Sequence, residues 1–162
     1  MLIRDADPDD WAAIWPFFRQ IAAAGETYAF DREIVQDDAR RAWMIGPPGQ
    51  AFVAVDPDGT VLGTAIGYPV RPGPGSHVAS ASFMVDPGHG GRGIGRALGE
   101  HVIAWARERG FRAMQFNAVV QTNEAAVALW RSLGFTVLAT VPEAYAVPGG
   151  GYVGLLIMHR AL

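Results

Sequence analysis

The chain has 162 residues, half of them hydrophobic, enough for one domain that buries about two-thirds of its unfolded surface. Its 13 lysines and arginines against 16 aspartates and glutamates recommend neither nucleic acid nor an anionic membrane as a partner. The absence of cysteine excludes structural disulfides, thiolate metal sites, redox switching and a thioester intermediate on the protein. Residues 1–162 are therefore expected to form a single domain whose function sits in a local site.

The opening stretch, MLIRDADPDDW, is acidic where a signal peptide would be basic and then apolar, and no apolar run reaches the roughly 18 residues of a membrane span. A cytoplasmic location is the expectation. Leu2 to Arg4 predicts a short strand, and Asp7-Pro8-Asp9-Asp10 supplies an N-cap, a proline at the first helical position and first-turn acids. The helix that follows carries Trp11, Ile14, Trp15, Phe18 and Ile21 at helical spacing as far as Gly25. A second, weaker helix is expected over 33–45.

Beyond the breaker GPPG (46–49), AFVAV and TVLGTAIGY flank Asp56-Pro57-Asp58-Gly59 and predict a hairpin. RPGPG (71–75) is a loop, HVASASFMV a strand ended by Asp86-Pro87, and Ile94 to Arg109 a helix closed by Gly110. FRAMQFNAVV is strand-like, Asn123 to Leu133 helical with Gly134 as its cap, and FTVLATV and GYVGLLIM are two more strands. The predicted order is β-α-α-β-β-β-α-β-α-β-β, a mixed α/β domain with a mostly antiparallel sheet.

The stretch GHGGRGIGRAL (88–98) raises the functional question. A glycine-rich turn from strand into helix leaves the N–H groups of the first helical turn unobstructed, and the helix dipole adds partial positive charge: a phosphate site. A flexible surface turn is the plainer alternative. No Gly-Lys-Ser/Thr follows, so this is not a P-loop. Gly88, Gly90 and Gly93 satisfy G-x-G-x-x-G, but the next strand carries Gln115 and Asn117 instead of the acid that a dinucleotide's ribose requires, and Glu108 lies in the preceding helix.

Val85-Asp86-Pro87 followed by Gly91-Arg92-Gly93-Ile94-Gly95-Arg96-Ala97-Leu98 resembles the acyl-CoA motif of the GCN5-related N-acetyltransferases. A second block, Asn123-Glu124-Ala125-Ala126-Val127-Ala128-Leu129-Trp130 with Leu133-Gly134-Phe135, is similar to that family's later helix. The resemblance covers nearly the whole chain and implies a central, mostly antiparallel sheet of six or seven strands flanked by about four helices. It implies acetyl-CoA as cofactor, in a cleft where the fourth and fifth strands splay. The pyrophosphate would lie on main-chain N–H groups of Gly91, Gly93, Ile94, Gly95 and Arg96, with charge from Arg92 and Arg96. The backbone of Phe83, Met84 and Val85 would pair with the pantetheine arm, one N–H polarising the thioester carbonyl. Asn123 and Trp130 complete the implied cofactor set.

Two positions depart from the family pattern. Gly90 stands where an arginine or glutamine is usual, which removes a side-chain contact and leaves the backbone cradle. Trp130 replaces the tyrosine proposed to protonate the leaving thiolate; an indole is far too weak an acid for that role. Trp130 reads either as packing against pantetheine or as a core aromatic.

Glu26-Thr27-Tyr28-Ala29-Phe30-Asp31 resembles a segment of phosphinothricin-type acetyltransferases that closes over the acceptor, and Ser80 stands where that subfamily has a glutamate. Phe116-Asn117, Thr122-Asn123, Trp130 and Leu133-Gly134-Phe135 resemble fungal acetyltransferases of proline-ring analogues, which also carry tryptophan. The expected activity is direct transfer of acetyl to the amine of a small amino-acid-like molecule; a non-catalytic acyl-CoA sensor and a peptide or protein N-acetyltransferase are alternatives. Glu26 is the first candidate base, if desolvation raises its pKa. Asn117 is a candidate to hold the acceptor, expected on one strand face with Gln115 and Val119. Tyr28, Phe30 and Tyr145 are candidate acceptor walls, together with the loops at 142–151. The four histidines suggest no metal site, and a homodimer accords with the families resembled.

Overall fold

The computed structural model describes residues 1–162. Seven strands form one sheet: β1 (Leu2–Asp5), β2 (Gln50–Val55), β3 (Val61–Pro69), β4 (Val78–Val85), β5 (Ala113–Val120), β6 (Thr136–Ala146) and β7 (Tyr152–Ala161). Four α-helices flank it: α1 (Trp11–Ala24), α2 (Gln36–Trp43), α3 (Ile94–Glu108) and α4 (Glu124–Ser132). The strand order is β1-β2-β3-β4-β5-β7-β6, and every neighbouring pair is antiparallel except β4 and β5. The element order and mostly antiparallel sheet are those predicted. No helix is long and apolar enough to cross a membrane.

Helix ends follow their local chemistry. Asp7 accepts the Asp9 N–H at 3.0 Å and donates its own N–H to Asp10 at 2.7 Å, a reciprocal cap leading into α1. Gly25, at φ 63°, closes that helix. Alternation along the strands sends Phe52 and Ala54 into a core with α3 and α4, and Ala51, Val53 and Val55 into a second core with α1 and α2. The sheet thus separates two apolar layers.

Three details differ from the sequence expectation. In α1 the fully buried positions are Trp11, Ile14, Phe17, Phe18 and Ala22; Trp15 lies half-buried at the margin, packed on Trp11 and Phe18. Helix α2 begins at Gln36 instead of 33. Half of 142–151 is not loop: β6 runs to Ala146, interrupted between Val141 and Tyr145 around Pro142 and around Glu143 at φ 49°. On an edge strand a proline's missing donor and a local bulge are tolerated, so pairing resumes at Tyr145 opposite Val153.

Candidate active site

The site starts at a failure of strand pairing. β4 and β5 pair only at Val78 with Ala113 and at Ala79 with Met114, and beyond this they diverge. On the other side of β4 the bonds from Val70 N–H to Val78 C=O and from Asp86 N–H to Leu62 C=O set the phase of the antiparallel ladder. By that alternation Ser80, Ser82 and Met84 spend their main-chain groups on β3, while Phe83 and Val85 turn theirs toward the opening. Met84 is therefore not a main-chain partner for a ligand: its side chain is buried in the α1–α2 core.

At the C-terminal end of β4, the Asp86 carboxylate accepts the Gly88 N–H at 2.8 Å and meets His89 Nδ1 at 3.2 Å, folding the chain back toward α3. Gly91 and Gly93 adopt φ 77° and 76°, a left-handed conformation costly for any residue with a Cβ. The first bond of α3 runs from Ala97 N–H to Gly93 C=O. No main-chain N–H from Gly90 to Arg96 has a partner within the chain. Consecutive unpaired donors at the head of a helix form an anion-binding concavity. The residues present thus fit the pyrophosphate of coenzyme A, and a Cβ at Gly91 or Gly93 would meet nothing within 4 Å.

Side chains around the cradle are partly committed. Arg96 donates to Ser132 Oγ at 2.7 Å and lies 3.6 Å from Glu100, so its side chain is engaged while its main-chain N–H has no partner. Arg92 is exposed and has no ion-pair partner. Behind the cradle, Gly99 lets α3 and α4 approach: a Cβ there would stand 2.8 Å from Leu133 and 3.1 Å from Trp130.

Most other predicted site residues meet in one cleft of about 820 Å³ between the splayed strands: Glu26, Tyr28, Phe30, Phe83, Val85, Asn117, Asn123, Trp130 and Tyr145 all line it. Several are also engaged within the chain, Trp130 in the second of the two ways expected of it. Trp130 is 7% exposed, packed on Phe83 at 4.7 Å and Phe116 at 5.0 Å between ring centroids; it is a core aromatic with one edge on the cleft. Asn123 caps α4 by accepting the Ala126 N–H at 3.2 Å. Asn117 accepts from the Gln115 amide at 2.6 Å, as a shared face requires, but a shift of register between Phe116 and Val119 leaves Asn117 exposed and Val119 buried, so these two do not share a face.

Glu26 is the one carboxylate lining the cleft, and it is exposed, without the desolvation expected of it. Tyr145 is buried, and its hydroxyl lies 2.8 Å from Gly25 O and 2.9 Å from Tyr28 O. It anchors the segment after α1, and burial raises its phenol pKa. Tyr28 reaches across 55 residues: its hydroxyl donates to Phe83 O at 2.6 Å and accepts the Phe83 N–H at 2.7 Å. Burial pushes this phenol well above its ordinary pKa, partly offset by the bond with Phe83. Ser80, at the subfamily's glutamate position, is buried on the cleft wall.

Sequence reading missed a second cavity of about 750 Å³, which meets the cleft at Phe30, Tyr68 and Ser82. Trp43, Ile45, Ile66 and Pro48 give it an apolar body, and Arg71 is the one charged residue on its wall. Trp43 is held rigid by donating to Thr64 Oγ1 at 3.0 Å, which in turn donates to Phe52 O at 2.8 Å. No group of metal-ligating side chains is present.

Residues 13–135 match the model of the acetyltransferase (GNAT) family. The fold matches a GCN5-related N-acetyltransferase from Kribbella flavida with TM-score 0.96 and 61% identity, over 99% of this chain and 97% of that one. A phosphinothricin acetyltransferase from Sinorhizobium meliloti, solved in complex with AcCoA, matches with TM-score 0.89 and 25% identity over 99% and 88%. The L-methionine sulfoximine/L-methionine sulfone acetyltransferase of Salmonella typhimurium is 32% identical, covering all of this chain and 95% of its own. With the fission yeast N-acetyltransferase aca1 the identity is 34% over 68% of this chain, which spans only 53% of that protein. The cradle, the splayed strands and the two helix motifs have one common explanation: the chain belongs to the GNAT family of acetyltransferases, whose acetyl donor is acetyl-CoA.

Proposed function

We propose that residues 1–162 act as one cytoplasmic N-acetyltransferase domain, moving acetyl from acetyl-CoA to the amine of a small amino-acid-like molecule by direct transfer in a ternary complex. The observation that carries this reading is the run of unpaired N–H groups from Gly90 to Arg96 beside the opening between β4 and β5. Acetyl-CoA supplies an acetyl group already activated as a thioester, with a thiolate as leaving group.

The chain's contribution is grip and position. The N–H groups from Gly90 to Arg96 hold the pyrophosphate, Val85 pairs with the pantetheine arm, and the Phe83 N–H faces the thioester carbonyl, where a preorganised donor stabilises developing negative charge. Trp130 supports Phe83 from behind and transfers no proton. Glu26 takes the proton of the incoming ammonium through water, and Asn117 with Gln115 offers amide groups on the β5 wall. Without a protein nucleophile such as cysteine, most of the rate comes from orientation and carbonyl polarisation.

The acceptor body lies in the apolar cavity beside Phe30, Trp43 and Tyr68, and its carboxylate meets Arg71. An amino-acid-like acceptor accords with the names of the relatives, among them the L-amino acid N-acyltransferase MnaT of Escherichia coli. The reading needs neither nucleic acid nor membrane, and it accommodates a homodimer. Thiol release from acetyl-CoA across a panel of amines tests it: turnover is expected with free amino acids and close analogues. Cofactor binding without turnover on any amine supports a sensor instead, and turnover on peptides alone supports a protein acetyltransferase.

A further inference from the structure

The Tyr28 hydroxyl holds both main-chain groups that Phe83 turns toward the cleft, accepting from the N–H at 2.7 Å and donating to the carbonyl at 2.6 Å. A backbone N–H has one proton and makes one strong bond, and a carbonyl oxygen accepting it at an ordinary 2.7–3.2 Å would stand about where the phenol oxygen stands. The two acceptors exclude one another. This step rests on the proposed placement of the thioester carbonyl at Phe83.

We infer that Tyr28 competes with the acyl carbonyl of the donor for the Phe83 N–H, so that the protein discriminates acetyl-CoA from free CoA through displacement of one phenol. Free CoA carries a thiol at this point and no carbonyl, so it leaves the Tyr28–Phe83 pair intact. A phenol is neutral at physiological pH, so this hydroxyl can donate and accept at once.

The surroundings determine how the displacement happens. Tyr145 is bonded to the main-chain carbonyls of Gly25 and Tyr28, which fixes the backbone and leaves the movement to the Tyr28 side chain. That ring stacks on Phe30 at 5.7 Å and meets Trp43 edge-on at 6.0 Å, and both line the second cavity. A displaced Tyr28 therefore reshapes the wall against which the acceptor packs. The acceptor cavity takes one form with an acyl group present and another without it.

The Tyr28→Phe variant keeps the ring and removes the competing hydroxyl. By calorimetric titration it is expected to bind acetyl-CoA about five- to tenfold more tightly than the parent, the scale of one or two net hydrogen bonds, with CoA affinity changed by less than about twofold. Weaker binding of acetyl-CoA, or an equal change for both ligands, overturns the inference.

A second measurement uses the parent protein labelled with 15N-phenylalanine, the Phe83 amide being assigned by its loss in Phe83→Leu. This amide is expected to shift with acetyl-CoA and far less with CoA. If it ignores acetyl-CoA, the placement of the carbonyl at Phe83 is wrong; if it shifts while Tyr28→Phe gives no selective tightening, only the competition is wrong. Should Tyr28→Phe fail to fold, 3-fluorotyrosine labelling of the parent decides. The Tyr28 resonance, assigned by eliminating Tyr68, Tyr145 and Tyr152, must move with acetyl-CoA and not equally with CoA.

Discussion

Gly93 and Gly110 bracket helix α3 at φ 76° and 80°, and a Cβ at either would meet nothing within 4 Å. Gly93→Ala and Gly110→Ala thus impose the same kind of backbone strain, about 1–2 kcal/mol for an L-residue in the left-handed region, without a clash at either end. For a chain of this length that lowers the melting temperature by about 2–8 °C, equally in both variants. Only Gly93 lies within the run of unpaired N–H groups. Loss of one charge-assisted bond to a phosphate, about 1.5–3 kcal/mol, weakens acetyl-CoA binding by about 10- to 150-fold. Thermal melts and calorimetric titration of the two variants side by side separate strain from function. Equal affinities for acetyl-CoA, or equal losses, would refute the assignment of the cradle.

Further outcomes follow from other residues. Arg71→Met is expected to raise KM for carboxylate-bearing acceptors by about 10- to 100-fold, the value of a hydrogen bond to a charged group, and to leave acetyl-CoA affinity and amines without a carboxylate unaffected; steady-state kinetics with paired acceptors checks this. Trp130→Phe leaves a void among Phe83, Phe116 and Phe135. It should cost about 1–3 kcal/mol in urea unfolding, with kcat per folded molecule kept within about threefold, because the indole transfers no proton. Burial raises the pKa of both Tyr28 and Tyr145 in the folded state. The folded protein then holds more protons than the unfolded one above pH 10, the ordinary tyrosine value. Stability is flat in these groups below that pH and falls above it, and urea midpoints should fall less steeply in Tyr28→Phe than in the parent.

Much of the fold was legible because its signals are local. Asp7-Pro8 and Gly25 mark the ends of α1, the glycines mark the turn into α3, and Gly134, at φ 85°, marks the end of α4; each works within a few residues of itself. The phosphate cradle was legible for the same reason, since its donors are consecutive. The acceptor side was not. Arg71 sits in a Pro-Gly loop that reads as plain connection, and only the pairing of β3 with β4 brings it beside Trp43 from α2 and Phe30 from the preceding loop. The bond between Tyr28 and Phe83 spans 55 residues, and no periodicity reports it. Asn117 was misplaced because strict alternation fails at the irregularity between Phe116 and Val119, and the extent of β6 was missed because Pro142 reads as the end of a strand until β7 is there to pair with beyond it.

Amide hydrogen exchange of the chain with and without CoA probes the grip on pyrophosphate most directly. The N–H groups from Gly90 to Arg96, which have no partner inside the protein, should exchange fast alone and become strongly protected when CoA is bound, with pantetheine giving no such protection. Protection that spares this stretch, or that pantetheine reproduces in full, would contradict the account.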